Sequence, residues 1–163
     1  MEAAIIVHGG AGARPADGPE AEAARAGCAR AAAVGHAILV AGGAALDAVE
    51  AAVRALEDDE RFNAGLGSAL TRAGTVEMDA AIMSGDGLRL GAVGAVSGVR
   101  NPIELARRVL EDGEHALLVG PGAVAFAREA GLPPCPLDFH VTEAARRDLA
   151  RELARRASPS GGG

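Results

Sequence analysis

The stretch 75–96, TVEMDAAIMSGDGLRLGAVGAV, decides the fold class. Its two strand-like runs, TVEMDAAIM and LRLGAVGAV, flank the turn residues 84–87, which contain an Asp-Gly pair. Two apolar runs around such a turn predict a β-hairpin. Next, RNPIELARRVLE predicts a helix with Asn101 as N-cap and Pro102 in its first position, HALLVG a short strand and PGAVAFAREAG another helix. Paired strands followed by helices indicate an α/β (α+β) fold.

The residues before the hairpin predict one strand and two helices. AAIIV, at residues 3–7, predicts a strand that is buried on both faces. Residues 17–43 carry helix start and stop signals, and a second helix follows from about Ala44. Its apolar positions recur with helical spacing and predict one buried stripe, formed by Leu46, Val49, Val53 and Leu56. Its end, LEDDERF, is acidic, which opposes the helix dipole and indicates a purpose other than stability.

The C-terminal segment predicts a helix followed by a tail. TEAARRDLARELARRA predicts an amphipathic, charged helix that Thr142 opens, and SPSGGG reads as unstructured. We assign residues 148–163 to a flexible C-terminal tail. The strands are too few for a self-contained sandwich, so the chain is interpreted as part of a domain.

Composition restricts the class of protein. The 163 residues are 49% apolar without Trp or Tyr, and the net charge of −6 argues against a nucleic-acid groove. Cys28 and Cys135 lie far apart, which favours free thiols over a disulfide. No apolar run is long enough to span a bilayer and no secretory signal is visible, so we expect a soluble cytoplasmic protein.

Three stretches leave alternatives open. After the first strand, Gly9 and Gly10 bring backbone N–H groups close to a reacting carbonyl, or they form only a tight turn. Asn63, in RFNAGLGSAL, serves a site through its amide, or it bonds its own loop backbone. Asp79, in an apolar strand, pairs with an arginine, or it is a site residue. A dinucleotide loop and a zinc site are not predicted, and the residues themselves identify no nucleophile.

Four segments together resemble a known family. IIVHGGAGA, LDAVEAAVRALEDDERFNAGLGSAL, GTVEMDAAIMSGDGLRLGAVGAVSGVRNPIELARRVLE and HALLVGPGAVAFARE are similar, in order and spacing, to the α subunit of plant-type asparaginases, which are also isoaspartyl peptidases. The resemblance runs from about Ile5 to about Arg147. It implies an N-terminal nucleophile hydrolase with a four-layer αββα fold, of which this chain supplies the α-subunit half.

The resemblance implies a self-processed enzyme whose catalytic residues lie outside this chain. A precursor cleaves itself after Gly163, and the new N-terminal Thr of the β subunit becomes the nucleophile. The implied reactions are hydrolysis of L-asparagine to aspartate and ammonia and cleavage of β-aspartyl dipeptides. The implied assembly is (αβ)₂. Glycosylasparaginase-type activity and a non-catalytic, unprocessed binding or scaffold module are the alternatives.

The resemblance also gives roles to residues of this chain. Gly9 and Gly10 match a glycine loop that governs self-cleavage, and Asn63 matches an asparagine that steadies the nucleophile. No organic cofactor is implied, but a structural Na⁺ is. Its implied ligands are backbone carbonyls at the end of the second helix, those of Leu56, Glu57, Asp59, Phe62, Ala64 and Leu66. Residues 59–61 are more charged than this loop usually is in the family.

Overall fold

The computed structural model describes residues 3–11 and 17–157. Within these ranges the chain forms five α-helices and three β-strands. Their order is α1 (Pro19–Val40), α2 (Ala45–Glu57), β1 (Met78–Met83), β2 (Leu90–Val96), α3 (Pro102–Asp112), β3 (Leu117–Val119), α4 (Gly120–Glu129) and α5 (Glu143–Ala157). A single 3₁₀ turn, Gly65–Gly67, lies in the long connection between α2 and β1. The mixture of helices and a small sheet confirms the α+β class.

The predicted hairpin forms two of the three strands of a small mixed sheet. β1 pairs with β2 in antiparallel fashion, with Ala81 opposite Ala92. β2 then pairs with β3 in parallel, with Ala92 opposite Leu117, and α3 provides the connection that a parallel pair requires. The strand order is β1-β2-β3.

A β-bulge in the hairpin explains the acidic residue in the apolar strand. Between Met78 and Ala80 the pairing shifts from Val96 to Val93, so β2 carries one extra residue. Ala95 lies in this bulge with a φ of 50°, and its N–H donates to Asp79 Oδ1 at 2.8 Å. Asp79 therefore satisfies the backbone of a strained position, which is an interaction that the sequence did not predict.

Helices α3 and α4 cover one face of the sheet. The core residues of α3, Ile103, Leu105, Val109 and Leu110, are at most 2% exposed. Burying a side chain of this size contributes about 1.5–3 kcal/mol, so α3 supplies a large share of the core's stability. On the strands, Met83, Leu117 and Val119 remain 56–57% exposed. They mark a part of the sheet that these helices leave uncovered.

The N-terminal strand prediction is wrong. In the part of the chain that the structure describes, residues 3–7 form no strand, and Ile6 is 96% exposed. A strand requires a neighbour that exchanges main-chain hydrogen bonds with it, and the described sheet contains only β1, β2 and β3. Ile5 instead places its Cδ1 atom against Gly35 of α1.

The apolar stripe predicted for α2 is only partly buried. Leu46 and Val53 pack at the edge of the core, but Val49 is 42% exposed. The most buried apolar side chains of α2 are those of Ala48 and Ala52, at 1% and 3% exposure. They face the Gly35 backbone of α1, so the two helices meet through small residues.

Helix α5 begins as the sequence predicts and includes part of the assigned tail. The N–H of Ala145 donates to Thr142 Oγ1 at 3.1 Å, which is an N-cap hydrogen bond. Residues 148–157 continue this helix and thus belong to a regular element. Side-chain hydrogen bonds from Arg155 and Arg156 lower the pKa of Glu152 to about 2, so this surface carries charge pairs within one helix. Residues 158–163, including Gly163, lie outside the described residues.

Two further expectations concern cysteines and membranes. Cys28 and Cys135 are both free, as predicted, and both are half-buried. Among the described residues, the helices are either too short or too polar to cross a bilayer.

Candidate functional site

The structure brings the three proposed site-supporting residues to one place. Gly9, Gly10 and Asn63 line a single cavity of about 280 Å³, together with His8, Ala11, Leu56, Phe62 and Ala64. Gly9 and Asn63 are 54 positions apart in the sequence, so only the tertiary fold places them together. The backbone N–H of Gly10 donates to His8 Nδ1 at 3.2 Å, and its φ of +102° is one that residues with a side chain rarely adopt.

Phe62 connects this glycine segment to helix α1. Its side chain is 3% exposed. Ideal Cβ atoms built on Gly9 and on Gly27 would both lie 2.7 Å from atoms of its ring. The ring is therefore held between two backbones that come close only because both residues are glycine. The family resemblance implied a role for Phe62 only through its backbone carbonyl, and the packing of its ring became visible only in the structure.

Asn63 makes a hydrogen bond with the backbone of its own loop, which is one of the two alternatives that the sequence left open. Its Oδ1 accepts a hydrogen bond from the N–H of Ala69 at 2.8 Å, which holds the two ends of the intervening turn together. The residue itself is exposed. The loop hydrogen bond fixes the orientation of the side chain, and the exposed amide lies at the border of the cavity that Gly9 and Gly10 also line.

The acidic end of α2 is explained by protein partners. Glu57 is 3% exposed, and its Oε1 accepts from the backbone N–H of Ile103 at 3.0 Å. Ile103 lies in the first turn of α3, whose N-cap residue Asn101 makes no capping bond with its side chain. Glu57 thus performs the capping that the sequence assigned to Asn101.

The environment of Glu57 favours its protonated form. Burial raises the pKa of this carboxyl to about 7, although hydrogen bonds from Asn101 and Ile103 oppose the shift. Its Oε2 is buried and has no hydrogen-bond partner within residues 3–11 and 17–157. The same carboxyl lines a second cavity of about 200 Å³, which it shares with Asn63 and Asp79. Glu57 therefore links the loop that carries Asn63 to the first turn of α3.

The next two acids also have partners. Asp58 Oδ1 lies 3.5 Å from Arg100 Nη2 and 3.4 Å from Asn101 Nδ2, which donates to it. Asp59 Oδ2 accepts from Arg30 at 2.9 Å and from Arg61 at 2.6 Å. The sequence marked this helix end as unusual, but it did not identify which residues the three acids contact.

Several carbonyl oxygens of the proposed sodium loop lie close to the backbone of two glycines. Gly65 has a φ of +51°, and a Cβ atom on it would collide with the carbonyl oxygen of Glu57. A Cβ atom on Gly67 would collide with the carbonyl oxygens of Phe62 and Glu60. Neutral oxygens of this kind suit a hard cation. Four of the six proposed ligand carbonyls, those of Leu56, Asp59, Phe62 and Ala64, already accept a backbone hydrogen bond. Each carbonyl oxygen has two lone pairs, so these hydrogen bonds leave capacity for a cation.

Other clusters that could bind a metal offer less. Among the described residues, Asp112, Glu114 and His115 bring three potential ligand atoms within 4.8 Å of one another, but all three residues are exposed. His140 is buried, and its Nε2 forms a hydrogen bond with the carbonyl oxygen of Arg100 at 2.9 Å. His36 is exposed on α1.

Comparison with known proteins identifies the family. A profile of the family described as "Asparaginase" matches residues 1–160. A human protein named isoaspartyl peptidase/L-asparaginase is 49% identical over 152 residues, which are 93% of this chain and 49% of the human protein. The mouse protein of the same name is 48% identical over 148 residues, 91% of this chain and 45% of its own. A plant-type L-asparaginase from Pyrococcus furiosus is 51% identical over 119 residues, 73% of this chain and 38% of its own.

Each of these matches covers a larger share of this chain than of the relative. The chain spans about half the length, or less, of these relatives. The family profile, in contrast, covers nearly every residue of the chain. From the profile and from the identity of almost one residue in two, we conclude that this chain belongs to the asparaginase family.

Proposed function

We propose that this chain is the α subunit of a self-processed threonine amidohydrolase that hydrolyses L-asparagine and cleaves β-aspartyl dipeptides. The relatives named isoaspartyl peptidase/L-asparaginase support the reaction. The observation that carries the proposal is the single cavity lined by Gly9, Gly10 and Asn63. These are the residues that an active site built across two subunits needs from this half.

In the proposed mechanism the nucleophile comes from the partner chain. The hydroxyl of a Thr that follows Gly163 attacks the Gly163 carbonyl, and a residue without Cβ tolerates the crowded tetrahedral centre. The peptide C–N bond then breaks, which leaves an ester and a free α-amino group, and water hydrolyses the ester to release the Gly163 carboxylate and the Thr hydroxyl. The freed α-amino group has a reference pKa of about 8, so it accepts the proton of the Thr hydroxyl near neutral pH. The hydroxyl oxygen then attacks the side-chain carbonyl of the substrate, and the amine leaves as ammonia or as the rest of the dipeptide. Water hydrolyses the acyl-enzyme and releases aspartate.

Residues of this chain support those steps. Asn63, oriented by its hydrogen bond to Ala69 N, borders the cavity with an amide that both donates and accepts. Gly10, where an added Cβ would meet no atom of the described residues within 4 Å, leaves the backbone beside it open to a reacting group. Phe62 fixes the distance between the glycine segment and the loop, because its ring contacts Gly9 directly.

We propose in addition that the loop at the end of α2 holds Na⁺. The ligands are the six carbonyls named above, which belong to the short segment 56–66 and are neutral oxygens that suit a hard cation. A bound Na⁺ would supply positive charge beneath Asn63, and it needs no part in the bond-breaking steps. No organic cofactor is required for amide hydrolysis by this route.

The partner in this proposal is the β subunit from the same precursor. The uncovered residues Met83, Leu117 and Val119 support a second sheet packed on this one, which would complete a four-layer αββα sandwich. The assembly would be (αβ)₂. We place the protein in the cytoplasm, in keeping with its two free thiols.

The test is intact-mass analysis of the protein expressed from its complete gene. We expect two fragments to accumulate over hours, one ending at Gly163 and one beginning with Thr. The processed protein should then release ammonia from L-asparagine and aspartate from a β-aspartyl dipeptide. Absence of cleavage would leave the scaffold alternative. Cleavage followed by hydrolysis of glycosylated asparagine alone would favour the glycosylasparaginase alternative.

A further inference from the structure

The charged side chains of Asp59 and Arg61 have no part in the proposed chemistry. They nevertheless form a close cluster of hydrogen-bonded charges with Arg30 beside the site. Asp59 Oδ2 accepts from Arg30 Nη2 at 2.9 Å and from Arg61 Nη2 at 2.6 Å. Its second oxygen, Oδ1, accepts from the backbone N–H of Arg61 at 3.1 Å. One carboxylate therefore contacts helix α1, a loop side chain and the loop backbone.

This carboxylate is shielded from water, unlike that of a common surface ion pair. The side chain of Asp59 is 11% exposed, although those of Arg30 and Arg61 are 56% and 44% exposed. Burial alone would raise the pKa of Asp59, but the hydrogen bonds and charge of Arg61 and the charge of Arg30 outweigh burial and lower it. Charge-assisted hydrogen bonds to a shielded carboxylate are stronger than those of exposed pairs.

The surface of α1 is shaped to receive this cluster. A Cβ atom on Gly27 would lie 3.1 Å from Asp59 Oδ2 and 2.7 Å from the ring of Phe62. Arg30 follows Gly27 by one helical turn and donates to the same carboxylate. Helix α1 thus contacts residues 59 and 62 of the loop together, through one polar and one apolar contact.

We propose that Asp59, held between Arg30 and Arg61, is a positioning residue that fixes loop 58–68 to helix α1 through the protein's own charges. The loop therefore places Asn63 before any cation binds, and a bound Na⁺ adds little to its order. This inference rests on the proposed function only in giving Asn63 a role, because the attachment of the loop is a property of the described residues.

Hydrogen–deuterium exchange of loop 58–68, in the processed protein from the complete gene, tests the proposal. Exchange is compared in sodium chloride and in choline chloride at equal ionic strength. For the wild type we expect protection to agree within about twofold between the two salts. For Arg30→Gln and for Asp59→Asn we expect about tenfold less protection in choline, which sodium partly restores.

The matched variants separate charge from simple damage. Arg30→Lys keeps the positive charge and should retain most of the wild-type protection. Arg25→Gln removes an arginine of the same helix that lies 4.0 Å from the 97% exposed carboxylate of Asp17, and it should leave loop exchange unchanged. Asp59→Asn keeps the shape of the side chain, so it tests the same contact if Arg30→Gln does not fold.

Two outcomes would overturn the proposal. One is that wild-type protection in choline falls as far as that of Arg30→Gln, since the cation would then hold the loop. The other is that both Arg30→Gln and Asp59→Asn keep wild-type protection in choline. Self-cleavage and ammonia release are measured on the same samples. If the wild type is inactive but its loop is protected, the proposed function is refuted, whereas the attachment of loop 58–68 to helix α1 through Asp59 still holds.

Discussion

Glu57 shows at the residue scale how one side chain supports both an element and a site. It ends α2, its carbonyl faces the Gly65 turn, and its carboxyl caps α3 through Ile103. A buried backbone N–H that loses its acceptor costs about 1–3 kcal/mol. The orphaned Oε2 partly offsets this benefit, because a buried oxygen without a partner is itself unfavourable.

We predict that Glu57→Ala lowers the free energy of unfolding by about 2 kcal/mol, because Ile103 N loses its acceptor and a small cavity opens. Glu57→Gln keeps an oxygen at the same place and should cost roughly 1 kcal/mol or less. Urea denaturation of the complete protein measures both values. Equal losses for the two variants would show that the hydrogen bond to Ile103 is unimportant.

The sequence predicted the capped position at α3 but not the capping group. Asn101 has the residue type and spacing of an N-cap, which are local signals. The actual acceptor comes from Glu57, 46 positions away, and no local pattern reports such a distance. The same holds for Asp59 and Arg30, which are 29 positions apart. In the sequence, only the acidity of the end of α2 indicated that these carboxylates need partners elsewhere in the chain.

At the element scale, structures stabilised by neighbouring residues were predicted well. The hairpin of β1 and β2, helix α4 and the Thr142 cap of α5 follow from turn, stop and capping residues within a few positions. The segment 3–7 has the composition of a strand, but strands are completed by partners. Its apolar residues gave no information on whether a neighbour lies beside it.

In helix α1, packing decides whether a Gly→Ala substitution stabilises or destabilises the protein. In an open helix, Gly→Ala stabilises by about 0.5–1 kcal/mol. At Gly27 the new methyl group would meet the ring of Phe62 at 2.7 Å, and overpacking of this kind costs about 1–3 kcal/mol. Gly27→Ala should therefore lower the midpoint of thermal unfolding.

The control for that prediction lies in α4. Gly122 is helical and has no atom within 4 Å of an added Cβ, so Gly122→Ala should raise the midpoint slightly. Differential scanning fluorimetry of the complete protein compares the two variants. A stabilised Gly27→Ala variant would contradict the close contact between α1 and Phe62.

At the scale of the whole molecule, the sheet is the unfinished part. α3 and α4 bury one face, whereas Leu117 and Val119 are 56% and 57% exposed and lie on the same side of β3. Exposed apolar residues grouped on one sheet face are typical of an interaction surface. The four-layer arrangement remains a prediction, since its second sheet belongs to the proposed partner.

We predict that Leu117→Asp combined with Val119→Asp prevents assembly of the complete protein. Leu117 and Val119 are 56% and 57% exposed in this chain, so covering them in the assembly would contribute about 2–3 kcal/mol to the contact between the sheets, and the introduced carboxylates would oppose burial. Val40→Asp, at a position 69% exposed at the end of α1, is the control and should assemble normally. Sedimentation velocity distinguishes the species, and a normal (αβ)₂ particle in the double variant would contradict the prediction.

The capping of α3 by Glu57 has a consequence for how the chain folds. A helix capped by its own flanking residue completes its first turn locally, within the time of helix formation. Here the acceptor is 46 positions away, and closing a loop of that length costs roughly 3 kcal/mol of chain entropy. The first turn of α3 therefore gains its cap only after α2 has docked. Secondary structure at this point is a late product of tertiary assembly, and the connection that carries Asn63 closes in the same step.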